Sequence, residues 1–219
     1  AGHEVILVSS GAIGLGMGKL GLMDRPKDTP GKQACAAVGQ CELMYLYDNL
    51  FSEYSITVAQ LLLTKYILLE DRRKNVENAL ERLISQGVIP VVNENDTVAI
   101  DELELEMGEN DSLAAVVATI ANADLLIIMS DIDGLYDSDP RQNPDAKMIP
   151  VVREISEDIH AVAGGAGTKF GTGGMATKIH AVEIAYESDI DVVLMNGQHP
   201  KKLYELFEDK PVGTLFHKG

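Results

Sequence analysis

The segment Val88-Ile89-Pro90-Val91-Val92 runs directly into Asn93-Glu94-Asn95-Asp96-Thr97. The first five residues are all apolar, as expected for a strand buried on both faces of a parallel sheet. The next five are all polar, which exceeds what a turn at the end of a strand requires. Two interpretations stay open for this polar group: an Asx-rich turn, or a site for an ammonium group and other polar parts of a ligand.

The same kind of short apolar run recurs along the chain, at residues 5–8, 58–63, 125–129 and 192–195. Amphipathic stretches between the runs predict helices, and the clearest spans residues 70–86, with one apolar stripe and Gly87 as a left-handed C-terminal cap. The other helices are predicted at about 31–51, 111–121, 155–163, 175–187 and 200–207. This alternation predicts a single α/β domain with a mostly parallel central sheet and helices on both faces.

Ligands of such sheets bind at the carboxyl ends of the strands. We therefore expect the loops 9–18, 93–110 and 130–141 to lie on one rim. Residues 102–107 differ, because acidic and apolar residues alternate strictly there. That period predicts a strand with one wet face, in a hairpin that projects from the sheet.

Composition narrows the function classes. The chain has 219 residues, 46% of them hydrophobic, and a net charge of −16, which fits a folded protein and argues against a nucleic-acid surface. No apolar run approaches the ~20 residues of a membrane span, and no signal peptide is visible, so we expect a cytoplasmic protein. Cys35 and Cys41 are the only cysteines, and two buried thiols are expected rather than a disulfide.

Several familiar ligand-binding motifs are excluded because the spacing of their residues does not match this sequence. Gly14, Gly16 and Gly18 suggest a dinucleotide fingerprint, but the third glycine of that fingerprint would fall at Lys19. No phosphate loop of the G-x-x-x-x-G-K-[ST] type occurs. The run that begins at Asp131 starts like a calcium loop, yet Tyr136 stands where its glycine belongs. The five histidines lack metal-ligand spacing, so no protein metal site is predicted.

Two further short segments carry candidate chemistry. Ser9-Ser10-Gly11-Ala12-Ile13 follows the first strand, and its small residues expose backbone N–H groups that suit an anion or a carboxylate. A small polar turn is also common for geometric reasons alone. In Gly108-Glu109-Asn110-Asp111-Ser112, either Asn110 or Asp111 can cap the helix that follows. Capping explains one of these two residues and leaves the other for function.

The last candidate segment is Gly171-Thr172-Gly173-Gly174-Met175-Ala176-Thr177-Lys178. It is a glycine-rich loop that opens into a predicted helix. Free N–H groups, the helix dipole and a lysine one turn into the helix together suit phosphate binding. A flexible surface loop is the alternative.

Taken in order, these segments resemble the amino-acid kinase family, in particular the members that phosphorylate L-glutamate. The resemblance covers essentially all of residues 1–219. It rests on these elements: Val8-Ser9-Ser10-Gly11-Ala12-Ile13, Ala36-Ala37-Val38-Gly39-Gln40, Asn93-Glu94-Asn95-Asp96, Gly108-Glu109-Asn110-Asp111, Ser130-Asp131, Gly134-Leu135-Tyr136, Asp139-Pro140-Arg141, Gly171 to Lys178, and Val212-Gly213-Thr214-Leu215-Phe216. The family's fold is a three-layer αβα sandwich, which agrees with the α/β pattern.

The resemblance implies an enzyme, a transferase that uses ATP and Mg²⁺ to phosphorylate the γ-carboxylate of L-glutamate. The product is γ-glutamyl phosphate, and the reaction is the first step of proline biosynthesis. A homo-oligomer and feedback inhibition by proline are also implied. Two alternatives stay open: a sibling kinase acting on acetylglutamate, aspartate, carbamate or uridylate, and a non-catalytic sensor of amino acids or nucleotides.

The family's residue roles carry over where the motifs match. The substrate positions are Ser10, Asp96 and Asn110. The nucleotide positions are Ser130, Asp131, Thr172, Gly173, Gly174, Met175, Ala176, Thr177 and Lys178. Lys178 and Asp111 match members of the catalytic group.

Two departures from the family are expected. Its opening strand, which carries a lysine and a Gly-Ser or Gly-Thr phosphate loop, has no match within residues 1–219. Lys178 would then lack its usual partner cation. The RNA-modification-type (PUA) domain that follows the kinase domain in many members has no match either, so we expect one kinase domain over residues 1–219.

Overall fold

The computed structural model describes residues 2–64, 67, 69–98, 110–164, 174–208 and 210–218. Its backbone divides into two compact units, Ala1–Asn110 and Asp111–Gly219, where the sequence predicts one domain. The predicted hairpin at 102–107 lies outside the described residues, as do Gly108, Glu109 and the loop residues Gly171, Thr172 and Gly173.

Among the residues that the structure describes, the first unit contains one parallel sheet and three helices. Its elements in chain order are β1 (Leu7–Val8), α1 (Ala12–Leu20), α2 (Thr29–Ser52), β2 (Val58–Leu63), α3 (Glu70–Ser85) and β3 (Ile89–Glu94). The strand order is β1-β3-β2, and both pairings are parallel. Val91 and Val92 of the central strand are fully buried, which confirms the prediction from their apolar run.

The helices α1 and α2 approach each other backbone to backbone. A Cβ atom on Gly16 would fall on the carbonyl oxygen of Cys35, and one on Gly39 would fall on that of Ala12. Only glycine leaves room for such an approach. The sequence reading placed residues 9–18 in a loop, and this was wrong, because tertiary packing outweighs the low helix propensity of glycine at α1.

Local sequence signals set the ends of the next two helices. The Asp28 carboxylate accepts a hydrogen bond from the Gly31 N–H at 2.9 Å and so caps the start of α2. Gly87 follows α3 with φ of 71°, as predicted for a left-handed cap. The expectation of two buried thiols is half wrong: Cys35 is buried, whereas Cys41 is exposed on α2.

In its described part, the second unit contains a mixed sheet and four helices. Its elements are α4 (Asn110–Ile120), β4 (Leu125–Ser130), β5 (Val151–Val152), α5 (Glu157–Gly164), α6 (Met175–Glu187), β6 (Asp191–Asn196), α7 (Lys202–Leu206) and β7 (Thr214–Phe216), with the first residue of α4 counted in the first unit. The strand order is β4-β6-β7-β5, with β6 and β7 antiparallel and the other two pairs parallel. Helix α6 has the predicted bounds, while the short strands β5 and β7 were missed.

The core of the second unit lies between α4, α6 and the sheet. Its most deeply buried side chains, which are at most 3% exposed, include Ile128, Ile179, Val182, Val192 and Phe216. The four central residues of β6 are buried, which agrees with the continuous apolar run at residues 192–195. This packing fixes the position of the first turn of α6, which carries Lys178.

The structure confirms the α/β class with mostly parallel strands. The backbone hydrogen bonds group the described strands into two sheets, of three and four strands, where the sequence predicts one central sheet. Within the described ranges, no helix is long and apolar enough to cross a membrane.

Candidate active site

A network of amide side chains lies at the end of β3 in the first unit. Asn93 donates from Nδ2 to Gln40 Oε1 at 3.0 Å, and its own Oδ1 accepts from the Glu94 backbone N–H at 2.9 Å. Asn110 donates from Nδ2 to Asn93 Oδ1 at 3.2 Å and to the Ser9 carbonyl at 2.9 Å. The network therefore joins the ends of β1 and β3, one residue of α2 and the first residue of α4.

The hydroxyl of Ser9 extends this network. Its Oγ lies 2.9 Å from the Tyr47 hydroxyl of α2. Ser9, Gln40 and Asn93 are all buried, at 6%, 8% and 3% exposure. Polar groups buried this deeply need hydrogen-bond partners, and the network supplies most of them.

Asp96 lies in the turn that follows β3, and it is partly buried. Burial raises the pKa of its carboxyl group, and the positive charge of Arg25 offsets part of this rise. Ser10, the third predicted substrate residue, is exposed, and its carbonyl accepts a hydrogen bond from Ser9 Oγ at 3.3 Å. Among the residues that the structure describes, no hydrogen bond joins the side chains of Ser10 or Asp96 to the amide network, so these two roles stay predictions.

The second unit contains a largely buried ion pair. Lys178 Nζ lies 2.9 Å from Asp111 Oδ2, and the two side chains are 11% and 22% exposed. Lys178 lies in the first turn of α6, and Asp111 in the first turn of α4. The side chains of Asn110 and Asp111 have other partners than the backbone of α4: Asn110 joins the amide network, and Asp111 accepts a hydrogen bond from Lys178.

A cavity of about 340 Å³ opens beside this ion pair. It is lined by Ser130, Asp131, Ile132, Gly134, Leu135, Tyr136, Ser138, Asp139, Pro140, Arg141, Val162, Gly174, Met175 and Lys178. Its size falls in the range of pockets that hold small molecules. At its rim Arg141 donates to Asp131 at 3.3 Å, and both side chains are exposed.

The cavity brings together most of the predicted nucleotide residues that the structure describes. Ser130, Asp131, Gly174, Met175 and Lys178 line it. Thr177 and Ala176 do not; the Thr177 hydroxyl instead donates to the Gly174 carbonyl at 2.8 Å. The predicted positions Thr172 and Gly173 lie outside the described residues.

Sequence reasoning missed two kinds of site residue. Gln40 was noted within a motif but given no role, although a glutamine in a buried helical position signals a polar network. Tyr47 and Val162 gave no signal, because one aromatic and one apolar residue at helical spacing look like ordinary packing residues.

Comparison with known proteins defines the class. A model of the amino acid kinase family matches residues 1–196. A curated glutamate 5-kinase of Clostridium perfringens (strain 13 / Type A) is 52% identical over 98% of this chain and 81% of its own length. A second, of Clostridium tetani (strain Massachusetts / E88), is 51% identical over 99% of this chain and 80% of its own length. The chain therefore belongs to the amino acid kinase family and, within it, to the glutamate 5-kinases.

A solved structure supports the fold independently. The product complex of isopentenyl phosphate kinase from T. acidophilum superposes with a TM-score of 0.60, over 97% of this chain and 83% of that chain. The two sequences are only 18% identical, so this likeness concerns the fold alone.

Proposed function

We propose that this kinase transfers the γ-phosphoryl group of ATP to the γ-carboxylate of L-glutamate, giving ADP and γ-glutamyl phosphate. The observation that carries this proposal is the Lys178–Asp111 ion pair, 2.9 Å long, at the wall of a cavity large enough for part of a nucleotide. The substrate follows from the relatives, which are named glutamate 5-kinases.

The chemistry explains the roles of a lysine and an aspartate at this point. A glutamate side chain has a pKa of about 4.3, so the γ-carboxylate is ionised at neutral pH and needs no general base. Its attack on the γ-phosphorus brings two anions together, and the protein must supply positive charge and alignment. Lys178 neutralises charge that develops on the transferred group, and Asp111 holds the ammonium group of Lys178 in position.

The nucleotide is proposed to occupy the cavity of the second unit. Gly174 and Met175 lie at the N-terminus of α6, where backbone N–H groups and the helix dipole suit a phosphate. Mg²⁺ would supply further positive charge at the phosphates. The Ser130, Asp131 and Asp139 oxygens in the lining are of the type that this hard cation prefers.

L-Glutamate is proposed to bind in the first unit, at Ser10, Asp96 and Asn110. The Asp96 carboxylate is suited to the α-ammonium group, which gives an acidic residue a role beside an acidic substrate. The exposed backbone at Ser10 and Gly11 is suited to a carboxylate. A homo-oligomeric, cytoplasmic enzyme inhibited by proline completes the proposal, as the family resemblance implies.

Hydroxylamine tests the reaction, because it converts an acyl phosphate into a stable hydroxamate. We expect the full-length protein with ATP and Mg²⁺ to form hydroxamate from L-glutamate. Product from acetylglutamate or aspartate but none from glutamate would refute the substrate. Glutamate binding without any turnover would instead support the sensor, an alternative that the relatives do not favour.

A lysine variant tests the proposed site in the same assay. We expect Lys178→Met to lower kcat by about 10²–10³-fold, the usual effect of losing one electrostatic contact to the transition state. Lys147→Met is the matched control, because Lys147 is an exposed lysine of the same unit that does not line the cavity. Equal activities of the two variants would show that Lys178 has no part in the reaction.

A further inference from the structure

The backbone N–H of Glu94 fixes the orientation of every amide in the network at the end of β3. A backbone N–H can only donate, so the atom of Asn93 that lies 2.9 Å from it must be the oxygen Oδ1. The nitrogen Nδ2 of Asn93 therefore faces Gln40. Gln40 in turn must present its oxygen Oε1, which accepts at 3.0 Å.

This assignment leaves the other end of the Gln40 amide unsatisfied. Its Nε2 is buried and has no hydrogen-bond partner among the residues that the structure describes. Native proteins keep few such donors, because burying one without a partner is costly. A methionine would avoid this cost but would provide no acceptor for Asn93, and a glutamate would provide one but would add a buried charge. Glutamine is thus the neutral side chain of this length that keeps the acceptor.

The same reasoning fixes the orientation of the Asn110 side-chain amide. Both hydrogens of its Nδ2 are used, one toward the Ser9 carbonyl and one toward Asn93 Oδ1. The part of this amide that remains for a ligand is its oxygen, Oδ1, which can only accept. An acceptor at this point suits an ammonium group and disfavours a carboxylate.

We propose that Gln40 is a positioning residue for the substrate: through Asn93 it holds Asn110 with its oxygen facing the ligand, so that the site selects a free α-ammonium group. The inference rests on the proposed function, since it deepens the same glutamate site. Without the Gln40 acceptor, Asn93 Nδ2 is left buried and unpaired. Asn93 then turns to find another acceptor and releases Asn110. Selectivity of this kind comes from a site whose polar groups go unpaired when the wrong ligand binds.

The test compares L-glutamate with glutarate, the same dicarboxylate without the ammonium group, by calorimetry on the full-length protein. We expect the wild type to prefer glutamate by about tenfold or more, which is the value of one hydrogen bond to a charged group. Gln40→Met should lower this preference by about threefold or more, with the remainder supplied by Asp96, while the Kd for ATP stays near that of the wild type. Gln86→Met, at an exposed glutamine of the same unit, is the matched control.

A second variant keeps the inference testable if Gln40→Met unfolds. Gln40→Glu retains an acceptor toward Asn93, so a folded Gln40→Glu protein should keep the preference for glutamate. A folded Gln40→Met protein with the wild-type preference, or a folded Gln40→Glu protein without it, overturns the inference alone. A wild type that binds no glutamate at all overturns the proposed function itself.

Discussion

Asp96 and Asp111 are two carboxylates of the candidate site with different surroundings. Asp111 accepts a hydrogen bond from Lys178 at 2.9 Å, so its charge has a partner within the protein. Burial raises the pKa of the Asp96 carboxyl above the usual value of 3.8, and the positive charge of Arg25 offsets part of this rise. Burial disfavours the ionised form of this carboxyl group, so a cationic ligand stabilises it strongly. This is expected for a residue that binds an α-ammonium group.

The raised pKa of Asp96 predicts a pH dependence. As the pH falls through this raised value, the carboxylate is protonated and its attraction for the ammonium group is lost. We therefore expect the Kd for glutamate to rise at a higher pH than an ordinary aspartate would cause, and Asp96→Asn to abolish this dependence. Calorimetry across the acidic range measures it, with Asp48→Asn, at an exposed carboxylate of the same unit, as the control.

The same rise in pKa predicts that neutralising Asp96 stabilises the folded state at neutral pH. A carboxyl group whose pKa is raised on folding favours the folded state while it is protonated, and this contribution is lost as the pH rises through the raised pKa. Asp96→Asn mimics the neutral form, so we expect its Tm at neutral pH to be equal to or higher than that of the wild type, although glutamate binding is weakened. A clear loss of Tm would show that Asp96 has a structural role instead.

The close approach of α1 and α2 predicts opposite effects of one substitution at two glycines. Gly39→Ala places a methyl group on the Ala12 carbonyl, so we expect a loss of about 3 kcal/mol, at the upper end for overpacking. Gly14→Ala points into open space on α1 and should stabilise the fold by about 0.5–1 kcal/mol. Urea unfolding measures both values. Similar effects at the two positions would contradict the packing described.

At this scale the sequence predicts buried strands better than it predicts α1. The run 58–63 gave β2 with its observed bounds, and Met175 to Glu187 gave α6, because burial on both faces or along one stripe leaves a regular pattern. Helix α1 was missed because Gly14, Gly16 and Gly18 read as a loop. This helix is stabilised by its close packing against α2 at Gly39, a residue far from α1 in sequence. The three-residue strand β7 is too short for its period to be recognised.

The candidate site also contains some features that the sequence predicts and others that depend on distant contacts. Lys178, Asn93 and Asp96 stand in motifs whose chemistry can be read locally. The direction of the Asn110 amide depends instead on the Glu94 backbone and on Gln40, 70 residues earlier in the chain by the residue numbers. No local sequence pattern predicts such a network, so the orientation of the Asn110 amide can be determined only from the structure.

For the whole molecule, the surface of α2 predicts self-association. Tyr45, Leu46 and Leu50 are 61%, 42% and 60% exposed on this helix, and Tyr54 just beyond it is 76% exposed. Large apolar side chains gathered this way usually mark an interaction surface, in keeping with the homo-oligomer proposed above. We expect light scattering to detect an oligomer that Leu50→Asp reduces to a smaller species. Leu69→Asp, at a leucine that is 55% exposed elsewhere in the same unit, should leave it intact.

The central claim is that the γ-carboxylate of glutamate attacks the γ-phosphorus of ATP, and oxygen labelling tests it most directly. With L-glutamate carrying ¹⁸O in its γ-carboxylate, the new C–O–P bond contains one labelled oxygen. When the α-amino group displaces phosphate to close the five-membered ring, that oxygen leaves with the phosphate. Mass spectrometry should find one ¹⁸O in each glutamate-dependent phosphate, and far less phosphate from Lys178→Met. Unlabelled phosphate formed at the same rate would mean that water, not the carboxylate, attacks ATP, and would contradict the account.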